Sequence, residues 1–340
     1  MDIVLEVSDT FLFDYAYAYL LPARSPPFSY DNTTTAQSAS TWQYKPATAY
    51  MTLEPSQAAY QSAWDRDNIY RQSVSFFAIL WLFGLVVYYI FAALSYYLVF
   101  DHAQMKHPKF LKNQVYLEML QANQAFPIMA IFTVPFLLAE IRGYSKLYDT
   151  PDQAPSPWYQ LLQFPLFLAF TDCFIYLIHR GLHHPLVYKR LHKPHHKWII
   201  PTPFASHAFH PLDGFAQSVP YHVFPFVFPL QKVAYVGMFV LINFWTIMIH
   251  DGEFYSDNAV INGAACHSVH HYAFNYNYGQ YTTLWDRLGG SYRKPDAELF
   301  QKEATKVMWA KQTKEMEEIL KDVEGEDDRE YGVEESKKSQ

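Results

Sequence analysis

The sequence predicts an all-α, polytopic membrane protein in which a helical membrane domain carries a His-rich helical cap. Three observations predict it. Half of the 340 residues are apolar and 18% aromatic, but only 17% are charged, against about a quarter in soluble proteins. Uncharged runs long enough to cross a bilayer recur along the chain. Histidine is concentrated, with all but His102 and His107 of the 15 lying between His179 and His271.

Residues 1–70 hold clusters of Ser, Thr, Pro and Gln and read as a polar, loosely ordered extension. Asp2, Glu6 and Asp9 replace the basic region that a cleaved signal peptide would need. Residues 71–295 form the membrane-embedded domain. Ser73–Phe100 is uncharged and long enough to span with some tilt. Met119–Ala139 is a second uncharged run, and membrane helices tolerate its Pro127 and Pro135. Trp158–Ile178 is a third, interrupted only by Asp172. Gly214–His250 carries Lys232 as its one charge and crowds Pro220, Pro225 and Pro229 into its first half. It reads either as one long span or as a two-legged hairpin bent near Pro229. Residues 296–340 comprise an amphipathic helix over 296–321, with Leu299, Val307, Met308, Met316 and Leu320 among charges, and an acidic tail expected to be disordered from Val323.

Composition excludes several classes. Cys173 and Cys266 are the only cysteines, which rules out a disulfide framework and a Cys-rich zinc site. Both read as packing residues, although Cys266 adjoins His267. The net charge of −7 and the lack of a basic stripe argue against nucleic acid. No internal repeat, phosphate loop, dinucleotide fingerprint or Ser-His-Asp arrangement is evident.

The histidines carry the chemistry. They form the boxes His179-Arg-Gly-Leu-His183-His184, His192-Lys-Pro-His195-His196 and His267-Ser-Val-His270-His271. Residues three and four apart share a helix face, so each box can offer two or three imidazoles to a common centre. Together they exceed the need of one tetrahedral ion and suit two metals, which the imidazoles alone do not identify. One such box is weak evidence, because a lone histidine is more often structural. Three boxes, each close to an apolar span, are hard to explain by packing, since each unpaired buried imidazole costs free energy. His250, which ends the last apolar run, is expected as an extra ligand. His207 and His210 either line the site or hydrogen-bond within it, and His102, His107 and His222 read as ordinary. Asp172 lies seven residues before His179 on nearly the same helix face. A carboxylate in a membrane span is costly and usually functional, so it is expected to accept a hydrogen bond from a ligand imidazole. The alternative for Asp172 is a simple ion pair.

The stretches TDCFIYLIHRGLHHP from Thr171, HKPHHKWIIPTPFASHAFHPLDGFAQSVPYH from His192 and HSVHHYAFNYNYGQYTTLWDRLGGSYR from His267 resemble the fatty-acid hydroxylase and sterol desaturase superfamily, and within it the fungal sterol C-5 desaturases. The resemblance covers roughly residues 64–293. It implies two irons per chain, O2 as oxidant, and electrons from NAD(P)H through cytochrome b5 and its reductase. The implied reaction removes two hydrogens from C5 and C6 of a Δ7-sterol in ergosterol-type biosynthesis. A sterol C-4 methyl oxidase or fatty-acid hydroxylase would share the boxes. A His-rich metal transporter would instead place polar residues within several spans. The enzyme reading requires a sterol, membrane lipid and cytochrome b5 as partners.

Orientation follows from charge. Arg180, Lys189, Arg190, Lys193 and Lys197 follow the third run, and basic residues mark the cytosolic side. All three boxes must meet on that side, which favours the hairpin over 214–250. The active site is then cytosolic, with Lys106, Lys109 and Lys112 on the same side. The N-terminus is lumenal, where the Asn32-Thr33-Thr34 sequon is usable. The Lys337-Lys338-Ser339-Gln340 end resembles a retrieval signal of the endoplasmic reticulum membrane.

Overall fold

Long apolar helices dominate the computed structural model, which describes residues 1–23, 42–254, 258–300, 305–325 and 327–332. The Asn32 sequon and the Lys337-Lys338 end lie outside the described residues. In chain order the helices are α1 (Asp2–Ser8), α2 (Asp14–Leu20), α3 (Ile69–Leu98), α4 (Gln114–Ala139), α5 (Tyr159–Leu182), α6 (Pro185–Leu191), α7 (Lys193–His196), α8 (Pro211–Val227), α9 (Lys232–Met248), α10 (Ala264–Ala273), α11 (Leu284–Leu288) and α12 (Thr305–Val323). The strands named among the described residues are two-residue pieces, β1 (Leu147–Tyr148) and β2 (Leu230–Gln231), paired in parallel.

Among the described residues, three helical stretches are long and apolar enough to cross a membrane: Ile69–Leu98, Gln114–Tyr144 and Tyr159–Leu182. In the most apolar window of α3 only 11% of residues are buried within the protein, so most of its surface is left for lipid. The 214–250 stretch is broken into two legs, α8 and α9. Each has 17 residues and extends about 25 Å at 1.5 Å per residue. The break falls where Pro229 cannot donate a helical hydrogen bond and the chain turns to pair β2 with β1.

The chain divides into two units. One comprises residues 1–84, 130–163 and 225–237. Over residues 2–20 it is helical where the sequence reads as a loose extension. A π-helical turn over Asp9–Phe13 joins α1 to α2, and the acids of this segment are buried and paired. Arg66 binds Asp14 at 2.5 Å, and Arg71 binds Asp9 at 2.8 Å and Asp14 at 2.6 Å.

The other unit comprises residues 85–129, 164–224 and 238–340 and contains every histidine. Its core includes Tyr188, Ile199, Val269, Tyr272, Phe274, Met316 and Leu320, which seat α12 against α6 and α10. A second cluster packs Tyr88 and Ala92 of α3 with Ala122 of α4, Phe204 and Ile247 of α9. The described part of the acidic tail, residues 323–325 and 327–332, makes specific contacts. The buried carboxylate of Glu324 accepts from the Tyr188 hydroxyl at 2.9 Å and pairs with Arg329 at 2.8 Å. Leu111 and Tyr331 form an antiparallel bridge that pins the last described residues.

Candidate metal centre

Each histidine box lies on or beside the end of a helix. Box one closes α5, with His183 just beyond it. Box two spans the C-cap of α6 and the single turn of α7. Box three lies on α10. Proline at position 194 starts α7 without needing an amide hydrogen.

The boxes do not each make a centre; they interleave. The ligand nitrogens of His179, His183, His192, His196 and His270 lie within 4.8 Å of one another. Those of His195, His250, His267 and His271 form a second group with the same spread. Box one thus serves the first group, while boxes two and three serve both. Within box two, His192 and His196 go to the first group and His195 to the second; within box three, His267 and His271 go to the second and His270 to the first.

The expected ligands His179, His183, His192, His195, His196, His250, His267, His270 and His271 are brought together. His184 is not. It is exposed at the N-cap of α6, where its Nδ1 accepts from the Leu186 amide at 3.4 Å. His207 faces Asn243 at 3.2 Å and stacks on Phe126, and His210 accepts from the Leu212 amide. Neither belongs to a ligand group. Cys266 is also outside both, and burial pushes its thiol up to about 11, away from the thiolate a metal needs.

Asp172 does not touch an imidazole, which corrects the role expected for it. It accepts from the amides of Gln280 at 3.1 Å and Tyr281 at 2.8 Å and from the Thr282 hydroxyl at 2.6 Å. Asp286 holds the same loop through the amides of Tyr278 at 2.9 Å and Gly279 at 2.8 Å. The loop in turn orients two ligands: the Tyr278 carbonyl meets His179 Nδ1 at 2.9 Å, and the Tyr276 carbonyl meets His270 Nδ1 at 2.7 Å. Asp172 therefore acts one step further out than a direct imidazole partner.

The carboxylate that does meet an imidazole is Asp213, 2.7 Å from His192 Nδ1. Reasoning from sequence missed it because the pair is 21 residues apart and no helical period links the two. Its signal was an acid directly preceding a long uncharged stretch.

These contacts test whether the residues fit metal ions. A carbonyl can only accept, so His179 carries its proton on Nδ1, and Asp213 likewise draws the His192 proton to Nδ1. Their Nε2 lone pairs then face each other at 3.1 Å. Two lone pairs repel unless a cation lies between them. Nitrogens bound about 2.1 Å from a shared ion at a right angle sit about 3 Å apart. His270 is similarly arranged: its Nδ1 is held by Tyr276, and its buried Nε2 has no hydrogen-bond partner among the described residues. Across the second group, His267 Nε2 lies 2.9 Å from His250 and 3.1 Å from His271. Burial first, and then neighbouring imidazoles, hold His196, His267, His270 and His271 well below the ordinary histidine value and His195 down to about 4. Neutral imidazoles with converging lone pairs are the form that binds metal, and those of His179, His192 and His270 have their Nδ1 protons anchored outward.

Comparison with known proteins agrees with this donor set. The family model described as fatty acid hydroxylase matches residues 164–291, the part of the chain that contains the boxes. Over the full length of both chains, the protein is 69% identical to a probable Delta(7)-sterol 5(6)-desaturase of Neurospora crassa and 60% identical to a Delta(7)-sterol 5(6)-desaturase of Leptosphaeria maculans. It is 46% identical to a Delta(7)-sterol 5(6)-desaturase of Candida albicans, with 97% of this chain and 99% of the relative covered. No solved structure matches. Similarity at this level along the whole chain, joined to apolar helices long enough to span a membrane and a converging imidazole set, shows that the protein belongs to the Delta(7)-sterol 5(6)-desaturase family.

Proposed function

We propose that the protein introduces the 5,6 double bond into a Δ7-sterol in ergosterol-type biosynthesis, using O2 and electrons from NAD(P)H delivered by cytochrome b5. The observation that carries this reading is the full-length similarity to named desaturases of several fungi, and the paired groups of imidazoles suit the chemistry. Removing two hydrogens from C5 and C6 releases two electrons. Reducing O2 to two waters takes four, so the other two come from the nicotinamide. Two irons held by the interleaved groups would supply the redox chemistry that an unactivated C–H bond requires.

The chain's own residues supply position and environment. His179, His183, His192, His196 and His270 would hold one ion, and His195, His250, His267 and His271 the other. Asp213 and the carbonyls of Tyr276 and Tyr278 anchor imidazole protons on the side away from the converging nitrogens. Asp172 and Asp286 brace the loop that carries those carbonyls. Eight of the nine imidazoles are buried and His183 is half-buried, which limits the access of water to this set.

Residues 71–295 form the catalytic membrane domain. Basic residues after the third span orient the metal centre to the cytosol, where cytochrome b5 and its reductase reach it. Residues 1–70 are then lumenal and 296–340 cytosolic, in the membrane of the endoplasmic reticulum. A sterol C-4 methyl oxidase or fatty-acid hydroxylase would share the boxes, but the full-length relatives above bear neither name. A transporter fits less well, because the imidazoles cluster at helix ends and do not line a path. Sterol profiling of a strain lacking this chain tests the proposal. Δ7-sterols without the 5,6 double bond should accumulate and disappear on complementation. An unchanged sterol profile contradicts it.

A further inference from the structure

The N-terminal helical segment has its polarity reversed relative to a helix in water. Asp2, Glu6 and Asp9 are spaced four and three apart, on one helix face. The π-helical turn over Asp9–Phe13 takes up one extra residue per turn, which returns Asp14 to that face. This acidic face points into the protein. Asp2 pairs with Lys232 at 2.7 Å, Glu6 accepts from the Ala47 amide at 2.7 Å, and Asp9 and Asp14 bind Arg66 and Arg71. The opposite face carries Phe11, Leu12, Tyr15, Tyr19 and Leu20, which are 56–85% exposed.

A contiguous exposed apolar face of this kind marks an interaction surface, and its surroundings say which one. The segment docks on the first turns of α3, where the Tyr17 hydroxyl donates to the Arg71 carbonyl and accepts from Ser75. Rings of Phe13, Tyr17, Trp64 and Tyr70 follow one another at 6.0–6.3 Å, joining the segment to the start of that helix. There Ile69, Tyr70 and Val74 are exposed in turn, on the span with the least buried surface. Arg142 donates to Gln72 at 2.9 Å, which places the end of the α4 stretch at the same level. Tyr144 there is 75% exposed, and Trp158, one residue before α5, is 79% exposed. Exposed Tyr and Trp gathered at span ends are the mark of a membrane interface. Carboxylates near hydrocarbon are tolerated only when paired, and those of Asp2, Asp9 and Asp14 are.

We propose that Asp2–Leu20 is a membrane-interfacial element whose exposed face is occupied by the lipid bilayer. Acidic residues lock it to the protein at Arg66, Arg71 and Lys232, while Phe11, Leu12, Tyr15, Tyr19 and Leu20 insert beside the start of α3. It adds a non-spanning lipid contact to those of the long helices.

Site-directed spin labelling tests this in full-length protein reconstituted into phosphatidylcholine vesicles. Single cysteines replace Leu12, Tyr15 or Tyr19 in a chain carrying Cys173→Ser and Cys266→Ala. Val86 on α3 serves as the lipid reference and exposed Glu54 as the water reference. Labels at 12, 15 and 19 should relax more with O2 than with a water-soluble nickel chelate, as at Val86. Preference for the nickel chelate, as at Glu54, overturns the proposal. So does protection from both relaxants, which means that protein covers the face; spin–spin broadening would then identify a second copy of the chain. In the unsubstituted protein, a diazirine on the phosphatidylcholine acyl chain should crosslink to residues 11–20. Labelling of α3 without labelling of that segment overturns it as well.

Discussion

The Asp213 carboxylate accepts the Nδ1 proton of His192 at 2.7 Å, with both side chains wholly buried. This pair fixes the tautomer of an imidazole whose other nitrogen faces His179. Loss of such a partner typically lowers metal affinity or activity about 10–100-fold. Asp213→Ala should therefore lose metal and activity to about that extent, measured by elemental mass spectrometry on folded protein. Asp213→Asn keeps an accepting oxygen and should recover part of the loss. Full metal content in Asp213→Ala would remove the assigned role.

His183 and His184 are neighbours with opposite expected outcomes. His183 belongs to the first ligand group, whereas His184 caps α6 from an exposed position. His183→Ala should abolish turnover. His184→Ala should keep it, at a stability cost of about 0.5–2 kcal/mol for the lost cap. Comparable losses of activity in both variants would contradict the division of ligands.

Asp172 braces a loop and does not ligate. Asp172→Ala leaves two partly buried amides and a hydroxyl without their acceptor, each costing at most about 1–3 kcal/mol. The variant should unfold at lower temperature in detergent, and its folded fraction should still bind metal. A variant with unchanged thermal stability but no metal would return Asp172 to the ligand sphere.

Glu324 and Arg329 form a buried ion pair over box two, where Glu324 also meets Tyr188 and lies 3.5 Å from Lys193. Removing one partner of a buried pair costs about 3–5 kcal/mol, because the other charge stays behind. Arg329→Ala should thus destabilise the protein more than the double variant Arg329→Ala, Glu324→Gln. Equal thermal shifts would show that the pair contributes little.

His107 is 1% exposed beneath Trp309, at a ring separation of 5.4 Å, and burial first, then Lys109, lowers its pKa to about 4. The unfolded chain binds a proton near pH 6.5, so stability from neutral burial is complete above that pH. It is lost as pH falls from about 6.5 toward 4. His107→Gln should show a shallower loss of melting temperature over that window than the parent. Parallel curves would contradict the assignment.

Much of this architecture was legible in the sequence, because membrane spans and histidine boxes depend on local patterns. Uncharged length located α3, α4 and α5, and three- and four-residue spacing picked out most of the histidines that the fold brings together. Proline content indicated the break between α8 and α9. What was not legible depends on pairings distant in sequence. Asp213 meets His192, Asp172 meets the 280–282 loop, and Arg66 and Arg71 order an N-terminus that reads as polar. His184 sits in a box but caps a helix, because Pro185 begins α6 immediately after it. The interleaving of the two ligand groups likewise arises from how α5, α7 and α10 converge, which no single box encodes.

On the proposed function, two irons held by these imidazoles would oxidise a Δ7-sterol. The most direct measurement is sterol product formation by metal-stripped, full-length protein in lipid, reloaded with either Fe(II) or Zn(II). Cytochrome b5, its reductase, NADH and O2 are supplied with a Δ7-sterol, and the 5,7-diene is quantified by mass spectrometry. Iron should restore the diene at two ions per chain, and zinc should bind without restoring it. Formation of the diene with zinc alone, or its absence from protein fully loaded with iron, would contradict the account.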